Sequence, residues 1–158
     1  MHSLADQLET IGLMAAHESA IGDLYQAYAD RFPHHAEFFR DLAADEREHA
    51  RLIVGFAERV RTGSAHVNPD RFDARTILSS LDRVKQRLRE AGDRSLSLVS
   101  ALSVCAEIED SMLERRYFEI IESDGPDLRQ LLESLAADTE AHRNKVQQAW
   151  EKERGAPQ

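Results

Sequence analysis

Four long stretches of this chain repeat apolar residues at helical spacing, and each is interrupted by polar residues near its middle. Apolar residues that recur in alternate steps of three and four form a seam that faces the interior of a helix bundle. The second stretch shows the interruption most clearly, because its seam is apolar on both sides of Glu46 and His49. The spacing i, i+3 places these two side chains on one face of the helix. The pattern therefore predicts that polar groups point into the bundle.

The other three stretches carry interruptions at the same depth. The first has Glu18, the third has Glu109, and the fourth has Thr139 and His142. In an antiparallel bundle of equally long helices the midpoints share one layer. We therefore expect five side chains to converge there, with Thr139 beside them: Glu18, Glu46, His49, Glu109 and His142. Three carboxylates in an apolar interior cannot all stay ionised without cations, so either they are protonated or a metal ion lies among them.

Breaks in the periodic pattern set the predicted topology. The pattern indicates long helices over residues 3–31, 34–61, 94–122 and 126–153, a shorter helix over 74–91, and no strand. Tight connections join the first long helix to the second and the third to the fourth, so each pair runs antiparallel. We predict an all-α fold: an antiparallel four-helix bundle of two hairpins, joined by a long crossover that contains the short helix.

Composition narrows the class of protein. The 158 residues, 42% of them hydrophobic, suit a single domain over residues 1–154 with a frayed tail at 155–158. A net charge of −9 argues against binding to nucleic acid or to an anionic membrane surface. No apolar run approaches the ~18 residues of a membrane span, and the N-terminus lacks the pattern of a signal peptide. We expect a cytoplasmic protein, and its single cysteine, Cys105, excludes an intramolecular disulfide.

Several other side chains have an ordinary structural interpretation. Tyr25 shares a helix face with Glu18 and could contact a ligand or relay an electron. The simpler interpretation is that it is a core tyrosine. Asp138 precedes His142 by four residues and is a candidate hydrogen-bond partner for it. We interpret Cys105 as a small core residue. Side chains off the seams are expected to be solvated: His17, His34, His35, His66, Glu48, Glu107 and Glu140.

The sequence resembles the ferritin-like superfamily, and in particular its rubrerythrin-like branch. The segments that carry the resemblance are HESAIGDLYQAYADRFP, FFRDLAADEREHARLI, AEIEDSMLERRYFEII and LLESLAADTEAHRNKV. The resemblance implies two metal ions in the bundle centre, usually iron, with Glu18 and Glu109 as ligands and Glu46 bridging. It implies His49 on one metal and His142 on the other. It also implies oxidation of Fe(II) by dioxygen or reduction of peroxide, while manganese or zinc would accept the same ligands.

The chain departs from that family pattern in two respects. Thr139 replaces the glutamate of a second Glu-x-x-His pair, and Met112 stands where rubrerythrins carry a further carboxylate. The second metal should therefore be the weaker one. A rubredoxin domain needs four cysteines, so we expect the electron donor to be a separate protein.

Two other functions stay open at this point. The protein could bind iron for storage or delivery without turnover, or it could be a structural bundle whose site is degenerate, for which Thr139 is the main support. A homodimer is the default expectation for a symmetric soluble oligomer.

Overall fold

The computed structural model describes residues 2–68, 74–111, 121–122 and 126–155. Five α-helices, one short 3-10 helix and two short strands lie in these parts of the chain. In order they are α1 (Leu4–Arg31), a short 3-10 helix (Pro33–His35), α2 (Ala36–Arg61), β1 (His66–Val67), α3 (Ala74–Glu90), α4 (Leu98–Asp110), β2 (Ile121–Glu122) and α5 (Pro126–Arg154). The predicted all-α bundle is confirmed. None of these described helices is both long and apolar enough to cross a membrane.

Local signals fix where the helices begin and end. Ser3 and Asp6 form a capping box at the start of α1, and the Ser97 hydroxyl accepts a hydrogen bond from the Ser100 amide at the start of α4. Gly63 ends α2 with a φ of 80°, a conformation that costs glycine little. These caps satisfy backbone groups that the helices themselves leave without a partner.

The third long helix differs from the prediction. It was expected over residues 94–122, but α4 begins at Leu98 and ends at Asp110, and Ile121–Glu122 is a strand. That strand pairs antiparallel with His66–Val67 in the crossover, so the expectation of no strand was wrong. A two-residue pair is too short to leave a periodic signal in the sequence. Residues 112–120, including Met112, lie outside the described residues, as do 156–158 of the predicted tail.

Two apolar clusters fill the bundle on either side of the polar layer. The first apolar cluster contains, among others, Ile11, Met14, Ile53, Phe56, Ile77, Ile121, Leu132 and Leu135. The second apolar cluster contains, among others, Ile21, Leu24, Phe39, Leu42, Leu81, Val84, Leu102, Cys105 and Val146. The order of these residues along the chain shows that α1, α3 and α5 run from the first cluster towards the second. The helices α2 and α4 run the opposite way, so the antiparallel arrangement is confirmed, and α3 carries the crossover along the bundle.

Helices α1 and α2 approach closely beside the polar layer at Gly22. A Cβ atom built on Gly22 would lie 3.3 Å from the Arg47 Cγ and 3.4 Å from the Ala43 carbonyl oxygen. It would also lie 3.6 Å from the Cβ of Glu46. The absence of a side chain at Gly22 therefore sets how near Glu46 comes to α1.

Replacing Gly22 by valine should destabilise the protein. We expect Gly22→Val to lower the free energy of unfolding by about 2 kcal/mol, because the branched carbons overlap the Ala43 carbonyl and force the two helices apart. Gly12→Val is the matched control on the same helix, since a Cβ there has nothing within 4 Å. Urea denaturation measures both, and equal stabilities for the two variants would contradict the close approach.

Candidate metal centre

Five polar side chains lie buried in one layer of the bundle. Glu18 comes from α1, Glu46 and His49 from α2, Glu109 from α4 and His142 from α5. Glu18 and Glu46 are 0% exposed, and the other three are at most 8% exposed. The two apolar clusters cover this layer from both ends. The structure thus brings together all five side chains whose convergence the sequence predicts.

The five side chains form two groups that share Glu46. One group is Glu18, Glu46 and His49, and the other is Glu46, Glu109 and His142. Within each group, one potential ligand atom per residue lies within 4.8 Å of the others. The rings of His49 and His142 face each other across the layer with their centroids 5.7 Å apart. Two adjacent sets of three donors with one common carboxylate suit two neighbouring cations.

Thr139 is also buried, three residues before His142 on α5, and adds no fourth carboxylate to the layer. Its side chain is 5% exposed, and its hydroxyl donates a hydrogen bond of 2.8 Å to the Ala136 carbonyl of its own helix. This intrahelical bond satisfies the hydroxyl locally. Helix α5 therefore offers the layer one imidazole, that of His142, where α2 offers a carboxylate and an imidazole.

The imidazole of His142 is held between two carboxylates of α2. Its Nδ1 lies 3.2 Å from Glu46 Oε1 and its Nε2 lies 2.7 Å from Asp45 Oδ2. Asp138, the partner expected from the sequence, does not make this bond; Asp45 makes it from the facing helix. Asp45 and Asp138 occupy equivalent positions in the repeated segment Leu-Ala-Ala-Asp. The sequence therefore could not decide whether His142 bonds to the aspartate of its own helix or to the aspartate of α2. Asp45 fixes the ring so that Nδ1 faces the layer.

Tyr25 contacts the layer directly from α1. Its hydroxyl donates a hydrogen bond of 2.7 Å to Glu109 Oε1, and its side chain is fully buried. The tyrosine is both a core residue, packed in the second apolar cluster, and a partner of a candidate ligand. It therefore restrains one carboxylate oxygen of Glu109.

Protons help to balance the buried charge of this layer. Burial raises the pKa of Glu109 to about 8, and the nearby charge of Glu46 raises it further against the hydrogen bond from Tyr25. Burial lowers the pKa of His142, but its hydrogen bond to Glu46, the charge of Glu46 and its hydrogen bond to Asp45 outweigh this and raise it to about 9. At neutral pH the metal-free layer therefore holds a neutral Glu109 and a cationic His142.

The prediction that His17 lies on the surface is wrong. It is 1% exposed, and its Nε2 bonds Ser80 Oγ of α3 at 2.9 Å. Burial lowers the pKa of His17 to about 4, against the raising effect of the Glu46 charge. The crossover helix α3 covers this face of α1, which a four-helix pattern treats as solvated. A signal was present, since Ala20 and Leu24 continue the face of His17 and are also buried.

The remaining predictions of exposure and burial agree with the structure. His34, His35 and His66 are exposed, as are Glu48 and Glu107, while Glu140 is half-buried. Cys105 is fully buried.

Comparison with known proteins adds one finding. The family model described as Rubrerythrin matches residues 11–90, a span that holds Glu18, Glu46 and His49. Glu109 and His142 lie beyond that span. No curated protein and no solved structure matches the chain.

The metal-free protein should lose stability as the pH rises from 6.5 to 9. A group whose pKa is raised by folding stabilises the folded state below its unfolded pKa, and this contribution disappears as the pH passes the folded value. For Glu109 the loss is complete near pH 8 and for His142 near pH 9. Between pH 6.5 and 9 we expect the free energy of unfolding to fall by roughly 2 kcal/mol from Glu109 and roughly 3 kcal/mol from His142, which is roughly 5 kcal/mol together.

Urea denaturation in the presence of a chelator measures this fall. Glu109→Gln keeps the shape of the side chain and removes its titration, so the variant should lose less stability over the same range. Glu107→Gln, at an exposed position of the same helix, is the control and should follow the wild type. An equally steep fall in Glu109→Gln would contradict the protonation assigned to the layer.

Proposed function

This chain belongs to the rubrerythrin family, and on that premise we propose that its buried layer binds two metal ions and that the protein is an oxidoreductase. The native metal in this proposal is iron. The reaction is oxidation of Fe(II) by dioxygen or reduction of peroxide. The proposal includes a separate donor protein that returns electrons to the site, and a homodimer as the assembled form.

The observation that carries this proposal is the position of Glu46 in both donor groups. A carboxylate has two oxygens and can serve one cation with each, so a shared glutamate supports a pair of ions rather than a single one. Each group then adds one further glutamate and one histidine. The donor set is the same for both ions: a terminal carboxylate, the shared carboxylate and an imidazole.

The chemistry of these donors fits iron. Carboxylates and imidazoles hold both ferrous and ferric iron, and the same set also accepts manganese and zinc. Three carboxyl groups in an apolar interior are costly when ionised and alone, and divalent cations offset that cost. In the metal-free layer the protons on Glu109 and His142 offset part of this cost, and bound metal ions would replace those protons.

The two metal positions should differ in affinity. The group with Glu109 and His142 has to release protons before it can bind a cation, because the pKa values of both residues are raised. The imidazole of His142 also has to leave its ion pair with Glu46, while Asp45 can keep its hydrogen bond to Nε2. We therefore infer that the group of Glu18, Glu46 and His49 binds the tighter ion at neutral pH.

The protein environment suits redox chemistry. Two bound ferrous ions would supply two electrons, which with two protons reduce one peroxide molecule to two waters. The apolar clusters exclude bulk water from both ends of the layer. The hydroxyl of Tyr25 donates a hydrogen bond to Glu109 Oε1 and so orients this carboxyl group at the edge of the layer.

Removal of Glu46 tests the proposal. Anaerobically prepared wild type should bind about two Fe(II) ions per chain, and Glu46→Ala should lose most of both because the shared donor is gone. Glu107→Ala, exposed on α4, is the control and should bind as wild type. Metal analysis after gel filtration gives the stoichiometry. If wild type and Glu46→Ala bind the same amount of metal, the proposed site is wrong.

The same loaded samples test the redox part separately. Addition of dioxygen or peroxide should consume oxidant and convert Fe(II) to Fe(III) in wild type and in Glu107→Ala, faster than free Fe(II) in the same buffer. Stoichiometric metal without faster oxidation would leave binding intact and favour storage or delivery.

A carboxylate at position 139 should strengthen the second metal position. We expect Thr139→Glu to raise the affinity for the second ion roughly tenfold, since it adds a negative donor on the α5 side of the layer. Thr139→Gln is the control, because it has the same size without the charge. Titration of metal-free protein with Mn(II), followed by electron paramagnetic resonance, gives both dissociation constants. Equal constants for the two variants would mean that position 139 does not face the second ion.

A further inference from the structure

A pocket opens between α2 and α5 beside the polar layer. Its volume is about 240 Å³. Its lining residues are Asp45, Glu48, His49, Leu52, Leu135, Asp138, Ala141 and His142. We call it the entry pocket. It joins solvent to the candidate metal centre, because two of the five candidate ligands form part of its wall.

The deep end of the entry pocket is built from the two imidazoles. The side chains of His49 and His142 are 4% and 7% exposed, and their ring centroids are 5.7 Å apart. The histidines belong to different donor groups, and Glu46 belongs to both. An ion that reaches the space between the rings is therefore adjacent to both metal positions.

The outer end of the entry pocket is acidic. Asp45 and Glu48 are 58% and 52% exposed, and Asp138 is exposed on the facing helix. No lysine or arginine occurs among the described residues that line the pocket. Arg51 donates from Nε to Glu48 Oε2 at 2.9 Å and so holds that carboxylate at the mouth. Asp45 forms an ion pair with His142, and Asp138 forms no ion pair with any residue that the structure describes.

Another groove of the molecule has a different character. The groove between α3 and α4 has a volume of about 340 Å³ and contains Arg83 and Arg87 as well as Glu90 and Glu107. Its charges are of both signs, and none of the five candidate ligands lines it. An acidic mouth without lysine or arginine is thus a property of the opening that leads to the histidines, and the groove between α3 and α4 does not share it.

We propose that a hydrated divalent cation, ferrous iron in the native reaction, enters the metal centre through the entry pocket between Asp45, Glu48 and Asp138. This inference rests on the proposed function and specifies the substrate that the site takes up. Carboxylates at a mouth raise the local concentration of cations and speed their association. Leu52, Leu135 and Ala141 offer no ligand atom to a cation, so the histidines are the donors at the deep end of the pocket.

The rate of metal association tests the electrostatic part of this proposal. Stopped-flow absorbance follows the binding of Co(II) to metal-free protein, since cobalt gains visible absorption on binding nitrogen and oxygen ligands. Asp138→Asn should slow association about threefold at low ionic strength, and added salt should remove the difference. Asp82→Asn, the same change at an exposed position on α3, is the control and should bind at the wild-type rate. Equal rates for the two variants would overturn the electrostatic role.

A steric variant tests the path itself. Ala141 is exposed at the mouth, and a tryptophan there should obstruct the pocket without touching the donor groups. Ala141→Trp should slow both association and dissociation of Co(II) roughly fivefold and leave the equilibrium constant unchanged. Ala137→Trp, one turn earlier on α5 and outside the pocket, should leave both rates unchanged.

The outcomes separate this proposal from the one on which it rests. Failure of wild-type protein to bind Co(II) stoichiometrically would remove the metal centre and with it the entry pocket. Stoichiometric binding with wild-type rates in both Asp138→Asn and Ala141→Trp would keep the metal centre and overturn the entry pocket.

Discussion

The burial of three carboxyl groups in one layer is the constraint on which the rest of this structure depends. Glu18, Glu46 and Glu109 come from three different helices and meet between two apolar clusters. Water cannot solvate them there, so their charge has to be balanced within the layer. The imidazole of His142 pairs with Glu46 at 3.2 Å and so balances part of this charge, and imidazole is also a metal donor. One arrangement thus serves the metal-free fold and prepares a site for cations.

Protons and metal ions are alternative solutions to the same electrostatic problem. In the metal-free layer Glu109 holds its proton and His142 is cationic between Glu46 and Asp45. Divalent cations would displace these protons, which couples metal affinity to pH. The raised pKa values of Glu109 and His142 place this coupling in the group to which both residues belong. Thr139 adds no charge to the layer, because its hydroxyl is bonded to its own helix.

The surroundings of the layer arise from contacts between helices that are distant in sequence. Gly22 lets α1 approach α2 beside Glu46, and the crossover helix α3 covers the outer face of α1 at His17. Asp45 reaches across from α2 to orient His142. The gap between α2 and α5 remains open as a pocket with an acidic mouth. In the part of the chain that the structure describes, a polar opening therefore lies beside the donor groups of a mostly apolar bundle.

The sequence alone determined the helices, the bundle and the five side chains that converge, because periodicity is a local property and the polar interruptions fall at equal depths. It could not determine the contacts that depend on which faces meet. The covered side of His17, the choice of Asp45 over Asp138 and the strand pair of the crossover all follow from packing between distant segments. The protonation of the layer also required the tertiary structure, since a pKa depends on burial and on neighbouring charges that only folding brings together.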